Sequence, residues 1–538
     1  MNIIEPVMLK ELKDTDYKSL IKFRIRKILM ICSNYDAFIL EEDGQIETQI
    51  QREYVELDLS NPPKFVWVTT SAQAREMLDK NDDIDMVICM YNVGDKDVFS
   101  FASELKQRSR DIPFVLLTHF SKEIYRRISL QDTSAVDYMF CWHGNADLIL
   151  AIIKLFEDIR NAENDIVDKG VQAILLVEDS VKFYSTYLPE LYKLILKQSS
   201  EFLKETLNEQ QRKFRKRSRP KILLATNLED ALQMYSKYKN NLLGVISDVG
   251  FTVHKGDPTD QEKLDAGIEL VKHIKADNEK MPILLQSSQD SISTVAQELG
   301  VGFLRKYSKT LMIQLSDFIK EEFGFGDFVF RDADHVEYGR AANLKQLEAI
   351  IREVPDEVLL FNTSKNMLSK WFHSRGLFTL GGKVKAVQES EFATVADMRH
   401  YVSQQIHDFH ALMGRGVIAH FDTEKYGRHV WFSRMGEGSL GGKARGLAFL
   451  NSLVDKYRLA GKYPGVRISI PRTVVIATDY FDQFILENDL QYVIDADVSD
   501  EEILSALKRA GVNLDGETET REETVKITIQ IQRIKELL

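Results

Sequence analysis

Short apolar runs punctuate the first part of the chain, separated by longer polar stretches. KILMI (27–31), FVWVTT (65–70), DMVICM (85–90), PFVLLT (113–118) and DYMFCW (137–142) are apolar on successive positions, the pattern of strands buried on both faces. Between them lie segments with apolar residues at helical spacing, SAQAREMLDK among them. Strands alternating with helices predict right-handed crossovers and a doubly wound parallel sheet. The pattern then repeats in AILLVEDS (173–180), KILLATN (221–227), LLGVISDVG (242–250), PILLQSS (282–288) and VGFLRK (301–306). The chain therefore carries a five-stranded α/β domain twice, at about 145 residues per copy.

The pattern changes after the second copy. LKQLEAIIREV (344–354), FNTSKNMLSKWFHSRGLF (361–378) and SEFATVADMRHYVSQQIHDFHALM (390–413) read as amphipathic helices, the second with a cap at Thr363 or Ser364. A Gly-rich loop follows, MGEGSLGGKARGLAFL (435–450), and TVKITIQIQ near the end alternates like a half-exposed strand. The expected order is an N-terminal extension (1–25), two α/β domains (26–165 and 170–325), a helical connector (326–435) and a C-terminal module (436–538).

Composition narrows the class. With 538 residues, 44% hydrophobic and 28% charged, the sequence describes a multidomain globular protein. A formal charge of −12 gives no electrostatic reason to expect nucleic acid as a partner. No apolar run reaches the length of a membrane span, so no membrane partner is expected. Three cysteines, Cys32, Cys89 and Cys141, fit a reducing compartment, and the expected location is cytoplasmic. The basic run QRKFRKRSRPK (211–221) reads as a solvated helix end. His407 and His410 have the spacing of a metal pair but lack a third ligand, and exposed or hydrogen-bonded histidines are the better reading.

In doubly wound sheets the chemistry sits at the carboxyl ends of the strands. The second copy places Glu178 and Asp179 after its first strand, Asp248 at its third, Ser287 at its fourth and Lys306 at its fifth. Three carboxylates in one crevice repel one another unless a divalent cation joins them, and Mg²⁺ suits oxygen ligands. A hydroxyl and an ammonium opposite could hold the oxygens of a phosphoryl group on the central carboxylate. This set resembles the response-regulator receiver domains, whose fold is flavodoxin-like. The resemblance implies that Asp248 is the phosphoacceptor. It also implies that Glu178, Asp179, Asp248 and the carbonyl of Gly250 bind Mg²⁺, and that Ser287 and Lys306 contact the phosphoryl group. DAGIELVKHIK (265–275) is similar to the helix after the acceptor loop in that family. Tyr307, where the family has Pro, and the lengthened loop FTVHKGDPTDQEK (251–263) depart from it.

The first copy fails the same comparison. Cys32 and Ser33 stand at the acidic-pair positions, Met90 at the acceptor and Cys141 at the lysine, with only Thr118 retained. It resembles a pseudo-receiver kept for docking or dimerisation, its thiols acting as small buried hydrophobes.

The Gly-rich loop is not a Walker A sequence, because Glu437 holds the first glycine position and Ala444 replaces the Ser/Thr. SLGGKARGLAFLNSLV (439–454) with ISIPRTVVIATDYFDQFI (468–485) resembles the N-terminal nucleotide-binding domain of pyruvate phosphate dikinase and phosphoenolpyruvate synthase. That resemblance implies an α+β fragment of an ATP-grasp-type domain in which Gly441, Gly442 and Lys443 approach ATP phosphates. The alternative is that Lys443 caps a solvated turn. The downstream parts that the family's chemistry uses do not fit after Lys508. Three functions are open: a phosphorylation-controlled module ahead of a dikinase-type ATP-binding part, the regulatory front of such a phosphotransferase, or an assembly scaffold. The first implies Mg²⁺, a histidine kinase or phosphotransfer protein as donor, and pairing of receivers in a homodimer.

Overall fold

Ten of the strands fall where continuous apolar runs predict them. In the computed structural model the first sheet is built from β1 (Lys27–Ile31), β2 (Lys64–Val68), β3 (Met86–Met90), β4 (Phe114–His119) and β5 (Tyr138–Trp142). The second is built from β6 (Ala173–Val177), β7 (Lys221–Ala225), β8 (Leu242–Asp248), β9 (Ile283–Ser287) and β10 (Gly302–Arg305). The structure describes residues 19–510 apart from 43–45, 58, 60, 93–95, 108–110, 120–127, 129–130, 143, 145, 258–261, 386–391, 415–416, 422–429, 458 and 496–498. Both sheets are wholly parallel. Their orders are β2-β1-β3-β4-β5 and, read from the same end, β7-β6-β8-β9-β10, the flavodoxin-like order.

The chain divides into two compact units, Met1–Lys204 with Lys213–Gln405, and Glu205–Arg212 with Ile406–Leu538. Within the first unit the two α/β copies share a core. The helix Ala146–Ala162, last of the first copy, is buried on nearly every side, as its apolar text ILAIIKLF requires. It packs in one cluster with Tyr187, Leu191 and Ile195 of the helix Val181–Phe202, the first of the second copy. Tyr138 donates to the carbonyl of Leu224 at 2.9 Å, and the Cys141 amide donates to Ser185 Oγ at 2.9 Å.

An ionic knot closes this seam. Asp158 receives both guanidinium nitrogens of Arg219 (2.8 and 3.0 Å), the hydroxyl of Tyr192 (2.9 Å) and the amide of Ile222 (3.0 Å). Lys221 lies 2.9 Å from Asp165. The basic run is thus not simply a solvated helix end. Helix Glu209–Arg217 carries part of it, but Arg215 is buried with a bond to the Phe202 carbonyl, and Arg219 and Lys221 are buried among acids. Burial of these cations is tolerable because each has a charged or carbonyl partner.

The segment expected to be helical throughout (326–435) is not. It opens on an antiparallel hairpin, β11 (Phe328–Arg331) with β12 (Glu337–Ala341), too short for alternation to register. Phe328 and Phe330 point inward, the former edge-on to Trp371 at 6.0 Å. Helices Leu344–Glu353, Asp356–Ser364, Met367–Ser374, Phe378–Lys385 and Val395–Gly414 follow. Thr363 and Ser364 do not start a helix but end one: their hydroxyls donate backward to the carbonyls of Leu359 and Phe361, and Asn366 turns the chain with a left-handed φ of 57°. The tetrapeptide LGGK, which the Gly-rich loop carries at 440–443, also occurs at 380–383, where it lies within the helix Phe378–Lys385.

In the second unit, β13 (Ile418–His420) and β14 (Phe432–Met435), both upstream of the expected boundary at 436, share a parallel sheet with β15 (Thr473–Ile476). The described part is therefore β–α–β with a parallel sheet, where an α+β fragment was expected. The alternating segment TVKITIQIQ lies outside the described residues. Among the described residues no helix is long and apolar enough to cross a membrane.

Candidate functional site

The carboxyl edge of the second sheet gathers the charged residues. β6 ends at Val177, so Glu178 and Asp179 turn over the edge; β8 ends on Asp248, and Lys306 follows β10. Carboxylate oxygens of Glu178, Asp179 and Asp248 all lie within 4.8 Å of one another. Lys306 Nζ sits 2.6 Å from Asp248 Oδ2 and bridges Glu178, where Oε1 (3.1 Å) meets hydrogen-bond geometry and Oε2 (2.8 Å) is an ion-pair contact. The other oxygen of Asp248 accepts the Val249 amide at 2.7 Å. Ser287 ends β9, is buried, and accepts the Gln289 amide at 3.2 Å. Gly250 lies in the turn after β8, against the backbone of Leu264.

Electrostatics make this edge unusual. Burial, then the neighbouring charge of Asp248, raises the Glu178 carboxyl well above the ordinary range. Burial, then Glu262 and Asp248, pushes Asp179 up to about 7. Burial opposes the Lys306 ammonium, but Glu178 and Asp248 outweigh it and hold its pKa above the usual lysine value. One ammonium against three carboxylates leaves an excess of negative charge, which either protons or a dication can neutralise. Asp179 Oδ2 is buried without a hydrogen-bond donor. Oxygen donors of this number and hardness, with one unspent, fit Mg²⁺.

Two features were missed in the sequence. Glu262, at the far end of the long loop after β8, returns to the site because Phe251 and Lys263 bridge and close that loop. An aromatic wall also flanks Lys306: its Nζ lies 4.1 Å from the Phe183 ring centre, which meets Tyr307 edge-on at 5.2 Å. Tyr307 itself is exposed and holds a left-handed φ of 66°. Gly267 is a glycine by necessity, since a Cβ there would fall 2.1 Å from the Asp248 carbonyl oxygen.

The first sheet presents a different edge. Cys32, Cys89 and Cys141 are all buried, and burial pushes the Cys141 thiol up to about 11. Register corrects one assignment. Thr118 pairs with Cys141 as Ser287 pairs with Arg305, so the residue matching Lys306 is Trp142 rather than Cys141. One acid is present after all, a helical turn further on: Asp36 accepts from Ser33 Oγ at 2.7 Å, with His119 Nε2 at 3.7 Å.

In the second unit the glycine loop joins the carboxyl end of β14 to the helix Gly441–Lys456, which crosses to β15. The loop is pinned from β14 and from the start of the helix Thr478–Glu487 that follows β15. Asp479 accepts the Glu437 amide at 2.7 Å, Thr478 Oγ1 accepts the Ser439 amide at 2.9 Å, and Arg434 donates to the carbonyls of Gly436 and Gly438. A Cβ at Gly436 would collide with Asp479, whereas Gly441 and Gly442 face open space and Lys443 is exposed in the first helical turn.

No protein-family model matches the chain, and no curated protein does. Among solved structures, a two-component system response regulator/GGDEF domain protein is similar over 55% of this chain and 98% of its own, at 14% identity and a TM-score of 0.25. A second protein of that description shows the same coverage and identity with a TM-score of 0.24. A protein of Pyrococcus horikoshii OT3 covers 55% of this chain and 64% of its own, at 13% identity and a TM-score of 0.19. Likenesses this distant leave the assignment of fold to the strand orders of the two sheets.

Proposed function

We propose that the chain is a two-component-type regulator whose second α/β copy accepts a phosphoryl group on Asp248. The observation that carries the reading is the convergence of Glu178, Asp179 and Asp248 with Lys306 between them at one strand edge. Glu178, Asp179, Asp248 and the Gly250 carbonyl would hold Mg²⁺, which supplies, when bound, neutralisation of charge around the transferred group. Asp248 is the nucleophile, kept oriented by the Val249 amide. Lys306 and Ser287 take the oxygens of the phosphoryl group, the ammonium leaving its bridge to do so. A histidine kinase or phosphotransfer protein is the donor. The first copy, with no acceptor, serves as the packing partner of the second, within the chain rather than only in a homodimer.

A second reading concerns the glycine loop. It lies at the carboxyl end of β14 beside a parallel neighbour, where open α/β sheets bind phosphates, with Gly441, Gly442 and Lys443 at the start of the crossover helix. Under this reading the loop takes the phosphates of ATP, as the front of a dikinase-like phosphotransferase. Calorimetric titration of ATP into the wild type and Lys443→Ala tests it; equal heats in both would refute it.

The acceptor is tested by intact mass after incubation with Mg²⁺ and acetyl phosphate. One labile phosphate is expected on the wild type and none on Asp248→Asn. Label that persists in Asp248→Asn, or none on the wild type under conditions that label a known receiver, refutes the proposal and leaves the scaffold reading.

A further inference from the structure

The glycine loop of the second unit contains two pairs of glycines, and the chain treats them differently. At Gly436 a Cβ would fall 2.4 Å from Asp479 Oδ1, and at Gly438 one would fall 2.8 Å from the same oxygen. At Gly441 and Gly442 an added Cβ would meet nothing within 4 Å. The first pair is bare so that a carboxylate of this chain can come close, whereas the space over the second pair is left to solvent or to a ligand.

The way this carboxylate is held is the way a loop holds a bound anion. Gly436 takes a left-handed φ of 84°, the conformation with which successive amides form an anion-binding hollow. Asp479 Oδ2 accepts the Glu437 amide at 2.7 Å. Asp479 also stands in the first turn of the helix Thr478–Glu487, where the helix favours negative charge. Burial would raise its carboxyl, but the amides of Glu437, Gly438, Asp479 and Tyr480 outweigh that and hold it below the ordinary range. The loop is fixed around it. Arg434 donates to the carbonyls of Gly436 (2.8 Å) and Gly438 (2.7 Å), and Ser439 and Thr478 exchange two bonds of 2.9 Å. Asp479 Oδ1 has no solvent access, so a phosphate would find no room beside it and would meet like charge there.

We propose that Asp479 is the resident anion of the glycine loop, a positioning residue whose carboxylate fills the hollow at Gly436–Gly438 and leaves only Gly441–Lys443 for the phosphates of a nucleotide. The confinement of the nucleotide rests on the ATP reading above; the hold of Asp479 on the loop does not. The protein thus supplies one anion itself and pre-shapes the loop for another.

The test uses the full chain and follows the loop amides 436–439 by peptide-resolved hydrogen–deuterium exchange, with calorimetric titration of MgATP beside it. Wild type, Asp479→Asn and Asp479→Ala are compared with and without sodium formate, a carboxylate small enough for the place that alanine vacates. In Asp479→Ala the loop amides should exchange about tenfold faster, the worth of one hydrogen bond to a charged group. Formate should slow them again, and sodium chloride at the same ionic strength should not. Asp479→Asn, which keeps an acceptor without the charge, should fall between. ATP should bind Asp479→Ala about tenfold more weakly, with most of the loss recovered in formate. Unchanged loop exchange in Asp479→Ala overturns the inference. So does exchange that rises equally in β14 and β15 and ignores formate, because that is general damage. ATP bound as tightly by Asp479→Ala as by the wild type overturns the positioning role. A wild type that takes no ATP overturns the ATP reading and the confinement with it, while loop exchange still decides whether Asp479 holds the loop, so the failures are distinguishable.

Discussion

Taken strand by strand, the two α/β copies share one order and differ in chemistry at their carboxyl ends. Where β6 runs into Glu178 and Asp179, β1 runs into Cys32 and Ser33; Asp248 ends β8, and Met90 ends β3. Lys306 after β10 has Trp142 as its counterpart, and Ser287 has Thr118. Strand order is the same in both. The comparison teaches that a doubly wound scaffold asks only for apolar strands and packing helices, while the edge is free to gain or lose chemistry. It also shows where the copies depend on each other, since the ionic knot at Asp158 draws its acids from the first copy and its cations from the second.

The largest expected effect breaks that dependence. Asp158→Ala leaves Arg219 buried without its carboxylate, and should cost about 3–5 kcal/mol. Both copies should lose stability in one thermal transition, because they share a core; two separate transitions in calorimetry would show them to be independent. Next comes the charge difference between the edges. Asp179 keeps its proton to about pH 7 when folded, far above an unfolded aspartate. The folded state therefore binds more protons than the unfolded one, and stability is present in acid and lost as pH rises from about 4 to about 7. The loss without Mg²⁺ should be a few kcal/mol at most, since each unit is worth about 1.4 kcal/mol. Asp179→Asn should flatten the slope in chemical denaturation, and Mg²⁺ at pH 8 should raise the wild-type midpoint and not that of the variant. An unaltered slope in Asp179→Asn would place the proton elsewhere.

A smaller effect is expected at the turn after β8. Gly267→Ala forces a methyl against the Asp248 carbonyl and should cost about 1–3 kcal/mol while lowering labelling. Labelling at the wild-type level would mean that the turn can yield. Smallest is the control on the silent edge. Thr118→Val should leave the label unchanged and cost about 1 kcal/mol, measured by mass and denaturant melts, because Thr118 is buried and its hydroxyl donates to the His119 carbonyl at 3.1 Å. Loss of label there would show that the first edge contributes to the second.

Continuous apolar runs made the ten strands of the two sheets legible, because a strand buried on both faces leaves no room for polar positions. The acidic edge was legible for the same reason, as the charged residues stand where such runs stop. What could not be read depends on distant partners. Nothing near Arg219 in the sequence announces Asp158, sixty-one residues earlier, so a basic run looked solvated. Glu262 is concealed by a loop whose closure only the Phe251–Lys263 bridge reveals. The hairpin at Phe328–Arg331 and Glu337–Ala341 is too brief for its alternation to stand out from a helical pattern.

The helix Ala146–Ala162 bears on heredity as much as on packing. It closes the first copy and at the same time lines the second, with Lys154, Glu157 and Asp158 enclosed along with its apolar residues. A gene segment encoding either copy could not be shuffled into another protein without exposing this surface. Recombination can trade a self-contained α/β domain between genes, whereas these two must travel as one heritable piece. The first copy would then persist for as long as the second is under selection, whatever stands at its own edge.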